Sequence, residues 1–150
     1  MNQELKILAI IPARAGSKRL PGKNKKLLGG KPLILWTIEV LQGVPGICDV
    51  LVSTDDPEIA DYCKSLGVMV PWLRPAALAS DTSTSAEVAL HAVNWYEEAI
   101  ASVDGILLAQ PTSPFRSRHT VEQAINLFSE GNGLPVIGVS SPSTLDYAGE

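Results

Sequence analysis

Between Ala13 and Lys31 stand Arg14, Lys18, Arg19, Lys23, Lys25, Lys26 and Lys31, seven of the twelve Lys and Arg in a chain whose net charge is −4. No Asp or Glu interrupts from Leu5 to Ile38. Charge packed this closely repels itself, so either solvent screens it or an anion neutralises it. A solvated face is the usual fate of a charge run. The position of this one favours an anion: it follows a buried strand, and α/β proteins bind phosphates at the carboxyl ends of such strands.

Two common phosphate motifs fail here. The fingerprint GxGxxG is absent, and a P-loop needs four residues between its glycines and then Lys with Ser or Thr. Gly16 and Gly22 are separated by five, and Lys23 is followed by Asn24. The next helix starts only at Pro32, so the loop must enclose its ligand with side-chain cations as well as backbone amides. A triphosphate fits best.

The elements that would position this loop alternate along the chain. Lys6 to Ile11 is a continuous apolar run ending at Pro12, as expected of a strand buried on both faces. Pro32 to Gln42 reads as a helix, with proline at its first position and Gly43 just past its end. Asp49 to Thr54 is a second buried strand. A helix opened by Asp56-Pro57 stops at Gly67, and Val68 to Trp72 is a third strand. The polar run Ser80 to Ser85 leads into a helix to about Ala101, with Thr84 and Glu87 spaced as a capping box. A fourth strand, Gly105 to Ala109, precedes a proline-marked loop from Gln110 to Arg116. A helix from Arg118 to Glu130 ends at Gly131, and Leu134 to Val139 is a fifth strand, after which the chain stops within a few residues. This order predicts one α/β domain over residues 1–150: three layers, a mainly parallel sheet with helices on both faces. The loops after strands one, three and four are the places for a ligand.

Composition narrows the classes further. With 45% hydrophobic and 19% charged residues, the chain is far from a disordered composition. Its acidic balance argues against nucleic acid as partner. No apolar run reaches a membrane span of roughly 18 residues, and no secretory signal is visible, so a cytoplasmic location is expected. Cys48 and Cys63 lie in no CxxC and near no histidine, and both read as buried apolar groups.

Four co-linear stretches carry a resemblance. The first is Ile11-Pro12-Ala13-Arg14-x-Gly16-Ser17-Lys18-x-x-Pro21-x-Lys23-Asn24, continued by Leu28-Gly29-Gly30-Lys31-Pro32-Leu33. Then follow Ser53-Thr54-Asp55-Asp56, Leu73-Arg74-Pro75 with Asp81-Thr82, and Gln110-Pro111-Thr112-Ser113-Pro114. Together they resemble the acylneuraminate cytidylyltransferases, or CMP-sialic acid synthetases, over nearly the whole chain. The resemblance implies a Rossmann-like fold of the nucleotide-diphospho-sugar transferase type. It implies transfer of CMP from CTP to the anomeric hydroxyl of a nonulosonic acid, with release of pyrophosphate and use of Mg²⁺.

By the same resemblance Lys23 holds the phosphates near the reacting centre, and Arg14 and Lys18 grip the departing pyrophosphate. Arg19, Lys25 and Lys26 match nothing and read as solvated. Ala13, Ser17, Asn24, Arg74, Ser83 and Ser85 fall at nucleotide-binding positions. Asn24 has both a donor and an acceptor, which reading a cytosine edge requires. For Ser83 and Ser85 helix capping is an equal alternative. Gln110, Pro111, Thr112 and Ser113 would meet the sugar acid, and Arg116 could pair with its carboxylate. Asp55 and Asp56 could be imagined as metal ligands, but aspartate before Pro57 is an ordinary helix cap. His91 and His119 have no nucleophile partner and read as structural or exposed.

Family members run further than this chain, with metal-binding aspartates and a dimer-forming arm in the continuation. The expectation is therefore a nucleotide-binding portion without metal ligands of its own, homo-oligomeric when full length. Two alternatives stay open. The related 3-deoxy-manno-octulosonate cytidylyltransferases usually have proline after the lysine, where this chain has Asn24. A non-catalytic CTP-binding fragment is the other.

Overall fold

The computed structural model describes residues 6–13, 27–28, 30–80, 82–110, 117–130, 138–141 and 144–148. In chain order the elements are β1 (Ile7–Pro12), β2 (Leu27–Leu28), β3 (Lys31–Pro32), α1 (Leu33–Leu41), β4 (Ile47–Ser53), α2 (Pro57–Ser65), a 3₁₀ turn (Ala76–Leu78), α3 (Ser85–Ala99), β5 (Gly105–Leu108), α4 (Arg118–Glu130), β6 (Gly138–Ser141) and β7 (Thr144–Ala148). β1 lies in the middle of the main sheet, parallel to β4 on one side and to β5 on the other. β2 and β3 form a separate antiparallel pair just before α1.

Successive residues of β1 serve opposite layers, as the pleat requires. Ile7, Ala9 and Ile11 pack with Ile34, Ile38 and Leu41 of α1, Ile59 and Cys63 of α2, and Val121 and Ile125 of α4. Leu8 and Ile10 pack with Leu51 and with Ala89, Ala92 and Tyr96 of α3. Helices thus cover both faces of a parallel sheet, the three-layer arrangement expected from the alternation of strand and helix.

Helix ends follow local chemistry. Asp56 caps α2, its carboxylate accepting the Glu58 N–H at 2.9 Å, with Pro57 at the first helical position. Thr84 and Glu87 close a reciprocal capping box on α3. Pro32 stands at the N-cap of α1, one position earlier than expected.

Three expectations are corrected. Over Val68–Trp72 the structure has two isolated parallel bridges, Leu51 with Met69 and Thr54 with Leu73, instead of a strand. Pro71 lies between them and has no N–H to give, so the ladder breaks there. Most of the expected fifth strand, Leu134–Val139, falls outside the described residues. Its last two residues, Gly138 and Val139, open β6, which pairs antiparallel with β7, with Ser141 opposite Thr144. A connection that short joins only antiparallel strands.

The third correction concerns Cys48. Ile7 faces Ile47 while Leu8 faces Asp49, so Cys48 is an extra residue in a bulge and is exposed. Its Sγ lies 3.6 Å from the Tyr96 hydroxyl, which donates to the Asp49 carboxylate. Burial, and then that hydrogen bond, holds the Tyr96 phenol well above its usual range. Cys63 is buried as expected, and burial pushes its thiol up to about 11, so it remains protonated at neutral pH.

The first residue of β5 leaves a side chain little room. A Cβ on Gly105 would sit 2.6 Å from Cζ of Phe128 and 3.2 Å from Cδ1 of Ile7. Gly105→Ala is expected to cost about 1–3 kcal/mol by overpacking, read as a lower urea midpoint. Phe128→Leu in the same chain should recover part of the loss. An unchanged midpoint in Gly105→Ala would contradict the packing of that ring on β5.

Candidate functional site

The order of the sheet decides where a ligand can lie. From β1 the chain passes to β4 on one side, and later to β5 on the other. Ligands of open α/β sheets bind in the crevice opened where the order reverses, outside the carboxyl ends of the strands. By that rule a ligand is expected between the end of β1, at Ala13, and the end of β5, at Gln110. The ends of β1, β4 and β5 and the segment at Arg74 stand side by side: Ala13 N–H donates to Ser53 O at 2.9 Å, Arg74 N–H to Thr54 O at 2.7 Å, and Ala109 N–H to Ile10 O at 2.9 Å. Helices that follow parallel strands begin on this edge, with their N–H groups and positive dipole ends toward it.

Arg74 is buried, 5% exposed. Its Nε donates to Ser53 Oγ at 3.0 Å and its Nη2 to Ser53 O at 2.6 Å, while Nη1 donates to Leu78 O at 3.2 Å. A guanidinium gripped at all three nitrogens has a fixed plane, and it ties the end of β4 to the 3₁₀ turn. Ala13 is fully buried, and its N–H is taken by Ser53 O, so its amide is committed to the sheet. The sequence reading gave Ser53 no role. Its only signal there was membership of the Ser53-Thr54-Asp55-Asp56 stretch.

Ser83 and Ser85 part company. The Ser83 hydroxyl lies 3.1 Å from Ser80 Oγ and donates to Ala77 O at 3.3 Å, closing the turn before α3. Ser85 is the first residue of α3 and is exposed, whereas the cap is Thr84. The Ser85 hydroxyl accepts from Gln110 Nε2 at 3.2 Å. A residue assigned to the nucleotide and one assigned to the sugar acid therefore touch at the crevice.

Arg14, Ser17, Lys18, Lys23, Asn24, Pro111, Thr112, Ser113 and Arg116 lie outside the described residues. Asp56 is the α2 cap, as read from Pro57. His91 packs edge-on against Trp72, with centroids 4.4 Å apart, and His119 is exposed. Among the described residues no three of His, Cys, Asp or Glu come together as metal ligands.

The division of labour at the start of α3 separates capping from ligand contact. Thr84→Ala should lower stability by about 1 kcal/mol, and Ser85→Ala should leave the thermal midpoint within the error of measurement. A Ser85→Ala chain as unstable as Thr84→Ala would return Ser85 to the capping role.

Comparison with known proteins places the chain in a family. A family model described as cytidylyltransferase matches residues 8–132. The chain is 44% identical over 136 residues to CMP-N,N'-diacetyllegionaminic acid synthase of Legionella pneumophila, which covers 91% of this chain and 58% of that protein. It is 39% identical over 123 residues to N-acylneuraminate cytidylyltransferase of Escherichia coli, covering 82% of this chain and 28% of that one. Among solved structures it is similar to CMP:2-keto-3-deoxy-manno-octonic acid synthetase complexed with CTP. There the TM-score is 0.71 at 27% identity, over 91% of this chain and 54% of the other. This chain thus spans between 28% and 58% of the length of these three. The match begins within β1, spans every strand of the main sheet and runs past the end of α4, and the chain belongs to the cytidylyltransferase family.

Proposed function

We propose that this chain forms the CTP-binding portion of an enzyme that transfers CMP to the anomeric hydroxyl of a nonulosonic acid. One observation carries the reading: the Ser85 to Gln110 hydrogen bond at 3.2 Å, which supports a single crevice for nucleotide and acceptor. In the transfer the anomeric hydroxyl loses its proton to solvent as its oxygen forms a bond to the α-phosphorus of CTP, the bond from that phosphorus to the bridging oxygen breaks, and pyrophosphate leaves with the bond electrons. Such chemistry needs mostly positioning and neutralisation of charge on the phosphate oxygens. Lys23 serves the reacting phosphate in this reading, and Arg14 and Lys18 the leaving pyrophosphate. Arg74, Ser83, Ser85, Ala13, Ser17 and Asn24 border the nucleoside, and Gln110 to Ser113 border the sugar acid.

Magnesium, where the transfer uses it, takes its ligands from residues other than the described ones. A cytoplasmic, homo-oligomeric enzyme completes the proposal, with neither nucleic acid nor membrane as partner. Among the described residues no helix is long and apolar enough to cross a membrane. Asn24 favours a nonulosonic acid over an octulosonate as acceptor, and exchanging the two in a pyrophosphate-release assay with CTP and Mg²⁺ distinguishes them. CTP binding without release under either acceptor would leave a binding portion alone.

Lys23→Ala should weaken CTP binding by about 1.5–3 kcal/mol, the scale of a hydrogen bond to a charged group and roughly ten- to more than a hundredfold. Calorimetric titration measures it. Lys25→Ala should change little. Parent-like affinity in Lys23→Ala contradicts the assignment of Lys23, and a large loss in Lys25→Ala would mean that the register of the loop is misread.

A further inference from the structure

Ser53 is fully buried at the carboxyl end of β4 and meets two segments that border the crevice. Its carbonyl accepts the Ala13 N–H at 2.9 Å and Arg74 Nη2 at 2.6 Å, while its hydroxyl accepts Arg74 Nε at 3.0 Å. A carbonyl has two lone pairs, and here each has a donor. Ala13 immediately precedes the cationic run in sequence, and Arg74 immediately follows the bridge at Leu73.

We infer that Ser53 is a positioning residue for the nucleotide, setting the plane of the Arg74 guanidinium and the position of Ala13 at the end of β1. The inference rests on the function proposed above. Two parallel donors of one guanidinium on two acceptors of one residue define a plane as a bidentate carboxylate would. Serine suits the position because its acceptor is one bond from Cβ, close enough to the strand for Nε and Nη2 to reach both oxygens. The next residue cannot substitute, because Thr54 Oγ1 is already engaged by the Asp56 N–H at 3.0 Å, ahead of α2. Without the hydroxyl, a buried Nε–H loses its acceptor, and the guanidinium must turn to find another.

Calorimetric titration of CTP into the full chain, alongside thermal midpoints, tests this. Ser53→Ala should weaken CTP binding about tenfold, Arg74→Ala by at least as much, and the double variant no more than Arg74→Ala alone. Losses that multiply in the double variant overturn the inference, as does a lowered midpoint with parent-like CTP affinity in Ser53→Ala. Should Ser53→Ala not fold, Ser53→Thr and Ser53→Val, alike in shape, isolate the hydroxyl. The Thr form is expected to bind CTP about fivefold more tightly, and equal affinities overturn the inference. A parent chain that binds no CTP overturns the proposed function and this inference with it, whereas a binding parent with an indifferent Ser53 overturns this inference alone.

Discussion

A strand with parallel neighbours on both sides cannot reach either by a tight turn, so each connection must cross a face of the sheet, usually as a helix. β1 is in that position, between β4 and β5. The consequence is geometric: chain leaves the sheet only at carboxyl ends and returns at the opposite edge. Ala13, Ser53, Arg74 and Gln110, far apart in sequence, are gathered along one edge by this constraint alone. Ala13, just before the cationic run in sequence, lies at that edge because it follows β1, and Gln110 because it follows β5.

The same constraint separates dry layers from a polar rim. Both faces of β1 are closed by aliphatic side chains from four helices. Of the five buried polar residues among those described, Ser53, Thr54, Asp56 and Arg74 cluster at the carboxyl ends of the strands, and Thr37 lies on α1. Burying such groups without partners would cost several kcal/mol each, on the order of 2–7. Those at the strand ends bond to one another and to strand-end carbonyls, so their partners are in place without a ligand. Rigid donors at fixed places are what transfer chemistry needs, because their cost of ordering is met in folding and not during reaction.

Much of this was legible in the residues. The uninterrupted apolar run of β1 declared a strand buried on both sides, Asp56-Pro57 declared a capped helix start, and Thr84 with Glu87 declared another. The limits of α4 followed from its flanking loop and Gly131. What escaped depended on long-range pairing. Val68 to Trp72 has strand composition, but Pro71 interrupts a ladder that composition does not reveal. Cys48 is exposed because the register slips opposite Ile7, which no local pattern encodes. Ser53 looked like one residue of a strand end, since its partners lie 40 positions upstream and 21 downstream. The proximity of Ser85 to Gln110 likewise comes from the crossing of α3 over the sheet and not from their spacing.

The most direct test of a ligand crevice at the carboxyl edge is an amide NMR titration of the chain with CTP. The largest shifts are expected at Ala13, Ser53, Arg74, Ser85 and Gln110, with Lys6, Ile47 and Asp104 at the opposite edge unmoved. Shifts gathered around Lys6, Ile47 and Asp104, or none at all up to millimolar CTP, would contradict the account.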